Sequence, residues 1–295
     1  MAEGGGFEPP RTFAPPVFKT GAINHSTILP RAIILCEMDL RLSGKVAFVA
    51  AGTKGIGFAI AQGLLNEGVR VSICGRTQAS VDEAVSRLGA GAIGFPCDVT
   101  QADQVEAWVR ASAQELGSAD ILVTNTGGPP AGTLSQMTED HWRAGIDSTL
   151  FNLLAMTRWT VPHMLEKGWG RVIHITSLVA KEPVPSLPIS ATLRAGIIAL
   201  TKAQAAEWGP RGVTVNGILP GHTLTDRQLH LAEVNAKLWN VSPEEALKVQ
   251  AEHSAVRRLA DPSEIAAPAV FLCGEGASFI TGQSLLVDGG AVKGI

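Results

Sequence analysis

The chain has 295 residues, 45% hydrophobic and 17% charged, with 32 glycines and a formal net charge of −3. That balance excludes wholesale disorder and supplies no polycationic face for a nucleic-acid partner. The length suits one large or two small domains, and no run of about 18 apolar residues predicts a membrane span.

Residues 1–37 differ from the rest. The stretch "GGGFEPPRTFAPPVFKTGAINHSTILP" is rich in Gly and Pro, and Pro9, Pro10, Pro15 and Pro16 block regular hydrogen bonding. Its start is acidic and has no apolar segment, unlike a secretory signal. The expectation is a disordered or non-native head, with the natural start at Met38 and one folded domain over 38–295.

From Met38 onward apolar runs alternate with amphipathic segments. "KVAFVA" predicts a buried strand and "GFAIAQGLLNEG" a helix ending at Gly68. "VRVSIC", "AIGFP" and "ILVTN" predict the next three strands, with helices over "QASVDEAVSRLGA" and "QADQVEAWVRASAQELG" between them. One long helix is expected from about Glu139 to Lys167, then a strand at "RVIHI" and a helix over Leu187–Trp208. "VTVNGI" and "SLLVD" complete about seven strands. Strict β/α alternation implies a single Rossmann-type, doubly wound parallel sheet with helices on both faces. Right-handed crossovers then gather the strand carboxyl ends on one edge, where ligands bind.

Four cysteines, Cys36, Cys74, Cys97 and Cys273, are scattered without a CxxC pair or a Cys/His cluster. They read as reduced, buried thiols of a cytoplasmic protein, with no metal site.

After the first strand, "AAGTKGIG" (Ala50–Gly57) opens a helix. Gly52, Gly55 and Gly57 allow a sharp turn and close backbone approach to a pyrophosphate, with Ile56 among the free N–H donors of the helix start. The second strand ends "CGRT". A site for NAD wants a carboxylate there to hold the ribose 2′-hydroxyl; this chain has Gly75 followed by Arg76, and Lys54 lies in the glycine-rich turn. Two cations and no carboxylate suit a 2′-phosphate, which favours NADP(H) as cofactor.

From about Leu42 to Gly290 the chain resembles the short-chain dehydrogenase/reductase family, in particular its 3-oxoacyl-carrier-protein reductase-like members. The family's TGxxxGxG is similar to Ala50–Gly57, with Ala50 and Ala51 replacing its Thr and first Gly. Its adenine-contacting Asp-Val resembles Asp98-Val99, and its NNAG resembles Thr124–Gly127, bringing in Asn125 and Gly127. "PGHTLTD" is similar to the loop beside the nicotinamide and brings in Pro220, Gly221 and Thr223; "FITGQSLLVDGG" is similar to the last-strand signature. The resemblance implies a strand order of 3-2-1-4-5-6-7 and a homotetramer.

It also implies four catalytic positions: a Ser that bonds the substrate oxygen, a Tyr that passes the proton, a Lys that holds the ribose, and an Asn that anchors a water relay. Matched residue by residue, the Ser is Ser177, but the Tyr position holds Ser190, the Lys position Arg194 and the Asn position Thr149. The chain has no tyrosine at all. A serine hydroxyl is a poor proton donor near neutrality, whereas Arg194 can still bond ribose hydroxyls. General acid–base help is worth about 10²–10⁴ in rate, so hydride transfer is expected to survive its loss at a lower rate.

His222, beside Pro220 and Gly221, is a candidate replacement acid or a plain loop residue; His174, inside a strand, reads as a structural histidine. Lys181 and Glu182 read as solvated or as substrate contacts, and "NTGGPPAG" (Asn125–Gly132) as a pocket rim. Residues 223–253 read as two amphipathic helices of a lid, with Leu229, Leu231, Val234 and Leu238 facing a pocket or the core.

Two readings of function result. One is an NADP(H)-dependent oxidoreductase on a carbonyl or alcohol substrate, such as a 3-oxoacyl thioester, with proton supply from water or His222. The other is a non-catalytic NADP(H)-binding protein with a regulatory or scaffolding role. A third reading, redox-neutral isomerisation or elimination, ranks below both. The substrate partner is a small molecule in the leading reading, with neither nucleic acid nor membrane involved.

Overall fold

The computed structural model describes residues 39–294. The expectations for the head, for a start at Met38 and for Cys36 lie outside the described residues. The described residues form one compact unit.

Seven parallel strands stand in the order β3-β2-β1-β4-β5-β6-β7: β1 Val46–Val49, β2 Arg70–Gly75, β3 Ala92–Pro96, β4 Ile121–Thr124, β5 Gly170–Ile175, β6 Val213–Pro220 and β7 Ser284–Val287. The order matches the one the resemblance implies. The helices are α1 Gly55–Asn66, α2 Gln78–Leu88, α3 Ala102–Leu116, α4 Glu139–Ile146, α5 Asn152–Lys167, α6 Pro188–Trp208, α7 Asp226–Trp239, α8 Pro243–His253 and α9 Pro262–Cys273.

Strand side chains alternate between two cores because the period of a strand is two. Ala47 and Val49 of β1 join α1 and α9 in one apolar cluster. Val46 and Phe48 join Trp108 of α3 and Met156 and Met164 of α5 in the other. Both faces of the sheet are therefore covered, which a purely parallel sheet requires. Several polar groups inside these cores find partners. Ser72 bonds Ser112 at 2.6 Å and accepts from Trp108 Nε1 at 3.1 Å. Buried Asp120 accepts from the Val46 amide at 3.0 Å and pairs with Lys167.

Two features depart from the sequence expectations. The long helix is broken: Asp147–Phe151 forms a π turn between α4 and α5. Asn152 causes it. Its side-chain Nδ2 donates to Ser148 O at 2.8 Å, the carbonyl its own amide would use in an α-helix, and that amide reaches back to Asp147 O instead. The other is α9, a helix with Pro268 inside it, for which the sequence analysis gives no element. Its start is well signalled, with Asp261 and Glu264 forming a reciprocal capping box.

The segment over 223–253 does form two helices, but their buried seam is made of Ala232, Ala236 and Ala246. Leu229 and Leu238 point to solvent. No described helix is long and apolar enough to cross a membrane.

Candidate functional site

Because all seven strands are parallel, the segments leaving their carboxyl ends share one edge. Those after β1 (Gly52–Gly57), β2 (Arg76), β3 (Asp98, Val99), β4 (Asn125, Gly127), β5 (Ser177) and β6 (Gly221–Thr223) supply most of the sequence-predicted site residues. Ser190 and Arg194 come from α6, and Thr149 from the π turn.

The glycine-rich turn works through two different devices. Gly55, at φ +56°, needs left-handed backbone, and so does Ala51, at φ +46°, where a side chain makes that conformation costly. Gly52 and Gly57 need space. A Cβ on Gly57 would lie 2.5 Å from Ala51 O and 2.8 Å from Asn125 Nδ2; one on Gly52 would lie 2.7 Å from Ile73 Cγ2. Asn125 Nδ2 in turn bonds Ala51 O at 3.4 Å, tying the β4 loop to the turn. A cradle kept free of Cβ atoms at the amino end of α1 is what a dinucleotide diphosphate requires.

The end of β2 is equally closed to side chains. A Cβ at Gly75 would meet Thr53 Cγ2 at 2.4 Å, so the place where a ribose-binding carboxylate would stand is filled. Arg76 is exposed and, among the described residues, enters no ion pair. Lys54 is exposed and pairs with Asp226 at the start of α7, at 2.5 Å. The donor set at this end thus fits a phosphorylated ribose. Asp98 turns its own loop, accepting from the Thr100 amide and hydroxyl at 3.0 and 2.9 Å. Gly221 donates to Val287 O at 2.9 Å, and buried Thr223 closes the β6 loop by donating to Gly221 O at 3.1 Å.

At the other end of the cleft, Pro188 opens α6, its missing N–H harmless in the first turn. Ser190 and Arg194 fall one turn apart and both are buried. Arg194 Nε donates to Ser190 Oγ at 3.2 Å and Nη1 to Ile175 O, at the end of β5, at 3.0 Å. Burial, then nearby Arg227, pulls the Arg194 guanidinium down to about 10, so it remains charged at neutral pH. Ser177 Oγ accepts from the Val179 amide at 3.3 Å, leaving its O–H free to donate.

Arg194 lines a small cavity together with Asn125, Thr126, Thr149 and Asn152. Thr149 Oγ1 and Asn152 Oδ1 are buried there without a protein partner. The sequence reading reached Thr149 but missed Asn152, three positions on, which the π turn brings to the same cavity.

His222 lies outside the Arg194 cavity. It lines a second cavity with Gly221, Asp288, Ser254 and Arg258, and its ring is 6.5 Å from that of His253. The two cavities share no lining residue. Burial lowers the His222 imidazole below its ordinary range, with His253 adding to the effect. His174 is structural. It is fully buried, with Nδ1 2.8 Å from Thr124 Oγ1 and Nε2 2.8 Å from Gln204 Oε1. Gln204 Oε1 only accepts, so the ring carries its proton on Nε2. Lys181 is exposed, and Glu182 accepts from the Lys293 amide at 2.9 Å. No group of His, Cys, Asp and Glu that could hold a metal ion occurs among the described residues. Cys74, Cys97 and Cys273 are buried free thiols.

Residues 50–292 match the family model described as Enoyl-(Acyl carrier protein) reductase. The human dehydrogenase/reductase SDR family member 4 is 35% identical over 254 residues, covering 84% of this chain and 88% of that protein. A 3-oxoacyl-(acyl-carrier-protein) reductase of Vibrio cholerae is 33% identical over 251 residues, covering 85% and 98%. Among solved structures, an actinorhodin polyketide ketoreductase with NADPH superimposes with a TM-score of 0.82 at 32% identity, covering 85% of this chain and 98% of that one. The L-sorbose reductase of Gluconobacter frateurii, complexed with NADPH and L-sorbose, gives the same TM-score and identity, covering 88% and 100%. With the seven-stranded parallel order, the glycine-rich turn and these matches together, the chain belongs to the short-chain dehydrogenase/reductase family.

Proposed function

We propose that this protein is an NADP(H)-dependent oxidoreductase that interconverts a carbonyl and an alcohol, through a site in which Ser190 and Arg194 stand where the family has Tyr and Lys. The observation that carries the reading is the pairing of the glycine-rich turn at the amino end of α1 with a buried, charged Arg194, the two joined through Asn125, which bonds Ala51 O and lines the Arg194 cavity. Relatives named as reductases, two of them solved with NADPH, support the reaction class and the cofactor.

In this reading the amides of Gly55, Ile56 and Gly57 hold the diphosphate, Lys54 and Arg76 the 2′-phosphate, and Asp98 and Val99 the adenine. Asn125, Gly127, Pro220, Gly221 and Thr223 line the nicotinamide end, and Arg194 bonds the ribose hydroxyls. When bound, the nicotinamide supplies or takes up hydride at the substrate carbon. Ser177 donates its free O–H to the reacting oxygen. Ser190, whose oxygen accepts from Arg194, positions that guanidinium and turns its own proton toward the cleft. A water held by Thr149 Oγ1 and Asn152 Oδ1 is the better proton source, since His222 lines a different cavity. Exposed Phe151, Phe279 and Leu285 support a homo-oligomer, a tetramer by family analogy, to be checked by analytical ultracentrifugation. The reading also places the enzyme in the cytoplasm.

The test is a fluorescence titration with NADPH followed by a screen of 3-oxoacyl thioesters, quinones and diketones for NADPH consumption. Turnover that falls on Ser177→Ala supports an enzyme. Binding with no turnover in any compound, indifferent to Ser177→Ala, supports the non-catalytic alternative. No binding of NADPH overturns both.

A further inference from the structure

Two guanidiniums converge on the loop after β4, and neither has a counter-charge among the described residues. Arg194 faces Asn125 and Thr126 across its cavity. Arg227, on the first turn of α7, donates through Nη2 to Pro129 O at 2.7 Å and packs its Nε 3.4 Å from the Cβ position of Gly128. Residues 125–129 are one short stretch of that loop, so Arg194 borders it at Asn125 and Thr126 and Arg227 at Gly128 and Pro129; in keeping with this, Arg227 adds to the lowering of Arg194 by burial. Neither enters an ion pair among the described residues. The carboxylate next in sequence, Asp226, is turned away to Lys54. Arg194 Nη2 and Arg227 Nε and Nη1 donate to no protein group among the described residues.

Bringing two cations together out of water is unfavourable unless an anion joins them. The cofactor does not supply it in the reading above. Its diphosphate belongs to the amino end of α1, its 2′-phosphate to Lys54 and Arg76, and the ribose hydroxyls beside Arg194 are neutral. A guanidinium offers paired donors that match a carboxylate in shape as well as charge. Arg227 also sits on α7, against the loop after β4.

We propose that Arg194 and Arg227 together form a site for an anionic group on the substrate, so that the carbonyl or alcohol turned over belongs to a free oxo or hydroxy carboxylic acid. The proposal rests on the oxidoreductase reading for its substrate class, but the anion site is measurable without turnover.

The experiment uses the full chain saturated with NADP⁺ and titrates, by calorimetry, 2-, 3- and 4-oxo carboxylates of up to about six carbons against their methyl esters. At least one acid is expected to bind about 10- to 100-fold more tightly than its ester, the worth of hydrogen bonds to a charged group. Arg227→Gln is expected to erase that ratio while the NADPH dissociation constant stays within about twofold; Arg227→Lys, which keeps the charge but not the fork, is expected to retain part of it. Esters binding as tightly as acids, or no member of the panel binding, would overturn the proposal. So would an Arg227→Gln variant that weakens NADPH by the same factor as the acids, because Arg227 would then hold the cofactor. If the Gln variant fails to fold, the wild-type ratio and the Lys variant decide. NADPH consumption with neutral ketones alone sinks the anion site and keeps the oxidoreductase. Acid-selective binding without any turnover keeps the anion site and sinks the oxidoreductase.

Discussion

Arg194 Nε donates to Ser190 Oγ at 3.2 Å, one turn apart on the buried face of α6. The serine oxygen is therefore an acceptor that steadies a cation, which is a different task from passing a proton. Ser190→Ala is expected to lower kcat by less than about tenfold, the scale of one lost hydrogen bond. Ser177→Ala, which removes the donor to the reacting oxygen, is expected to lower kcat by about 10²–10³. Steady-state kinetics on both variants checks the order; a larger loss at Ser190 would make it the proton donor after all.

Lys54 is shared between its ion pair with Asp226 and the proposed 2′-phosphate. Asp226→Asn releases the lysine, and the preference for NADPH over NADH is expected to rise about two- to fivefold, the worth of an exposed ion pair. The gain should shrink with added salt, because both partners are exposed and screened. Paired fluorescence titrations at low and high ionic strength read it directly.

Ala51 holds a left-handed backbone at φ +46° where the family pattern has Gly. That conformation costs an L residue about 1–2 kcal/mol, and glycine's extra freedom in the unfolded chain returns about half of the gain. Ala51→Gly is expected to stabilise by up to about 1 kcal/mol, raising Tm by about 2–4 °C in a domain of this size. A fall in Tm on calorimetry would show that the neighbouring contacts depend on the Ala51 methyl.

Burial lowers His174 from 6.5 to about 4, with the Gln204 bond opposing it. The unfolded chain then binds more protons than the folded one between those values, so stability rises with pH. The contribution is complete above about pH 6.5 and is lost as pH falls toward about 4, with a total on the order of 3 kcal/mol. Urea denaturation between pH 7.5 and 5 is expected to show this slope in the wild type and a shallower one in His174→Gln. Equal slopes would assign the acid sensitivity to other groups.

The sheet was legible because parallel, doubly covered strands need near-continuous apolar runs such as "AFV" and "ILV", and the chain supplies them at each position. The π turn was not, since "DSTLF" contains no helix breaker; the break comes from Asn152 competing for a carbonyl. In the lid, the leucines misled because alanines allow closer helix approach and take the seam. At the site, single positions after each strand were readable from spacing. Pairings were not: Lys54 and Asp226 lie 172 residues apart, and nothing local marks either as the other's partner. His222 illustrates the same limit, since nothing in its sequence neighbourhood tells that it lines a cavity separate from that of Arg194.

The closed corner between Gly75 and Thr53 makes cofactor preference a property of two residues. A Cβ added at Gly75 would meet Thr53 Cγ2 at 2.4 Å, so the threonine side chain has to move before an acid at this corner can face a ribose. Trimming Thr53 to Ser or Ala removes that methyl and eases the same change. A methyl group that never touches the phosphate thus bears on which nucleotide this corner accepts.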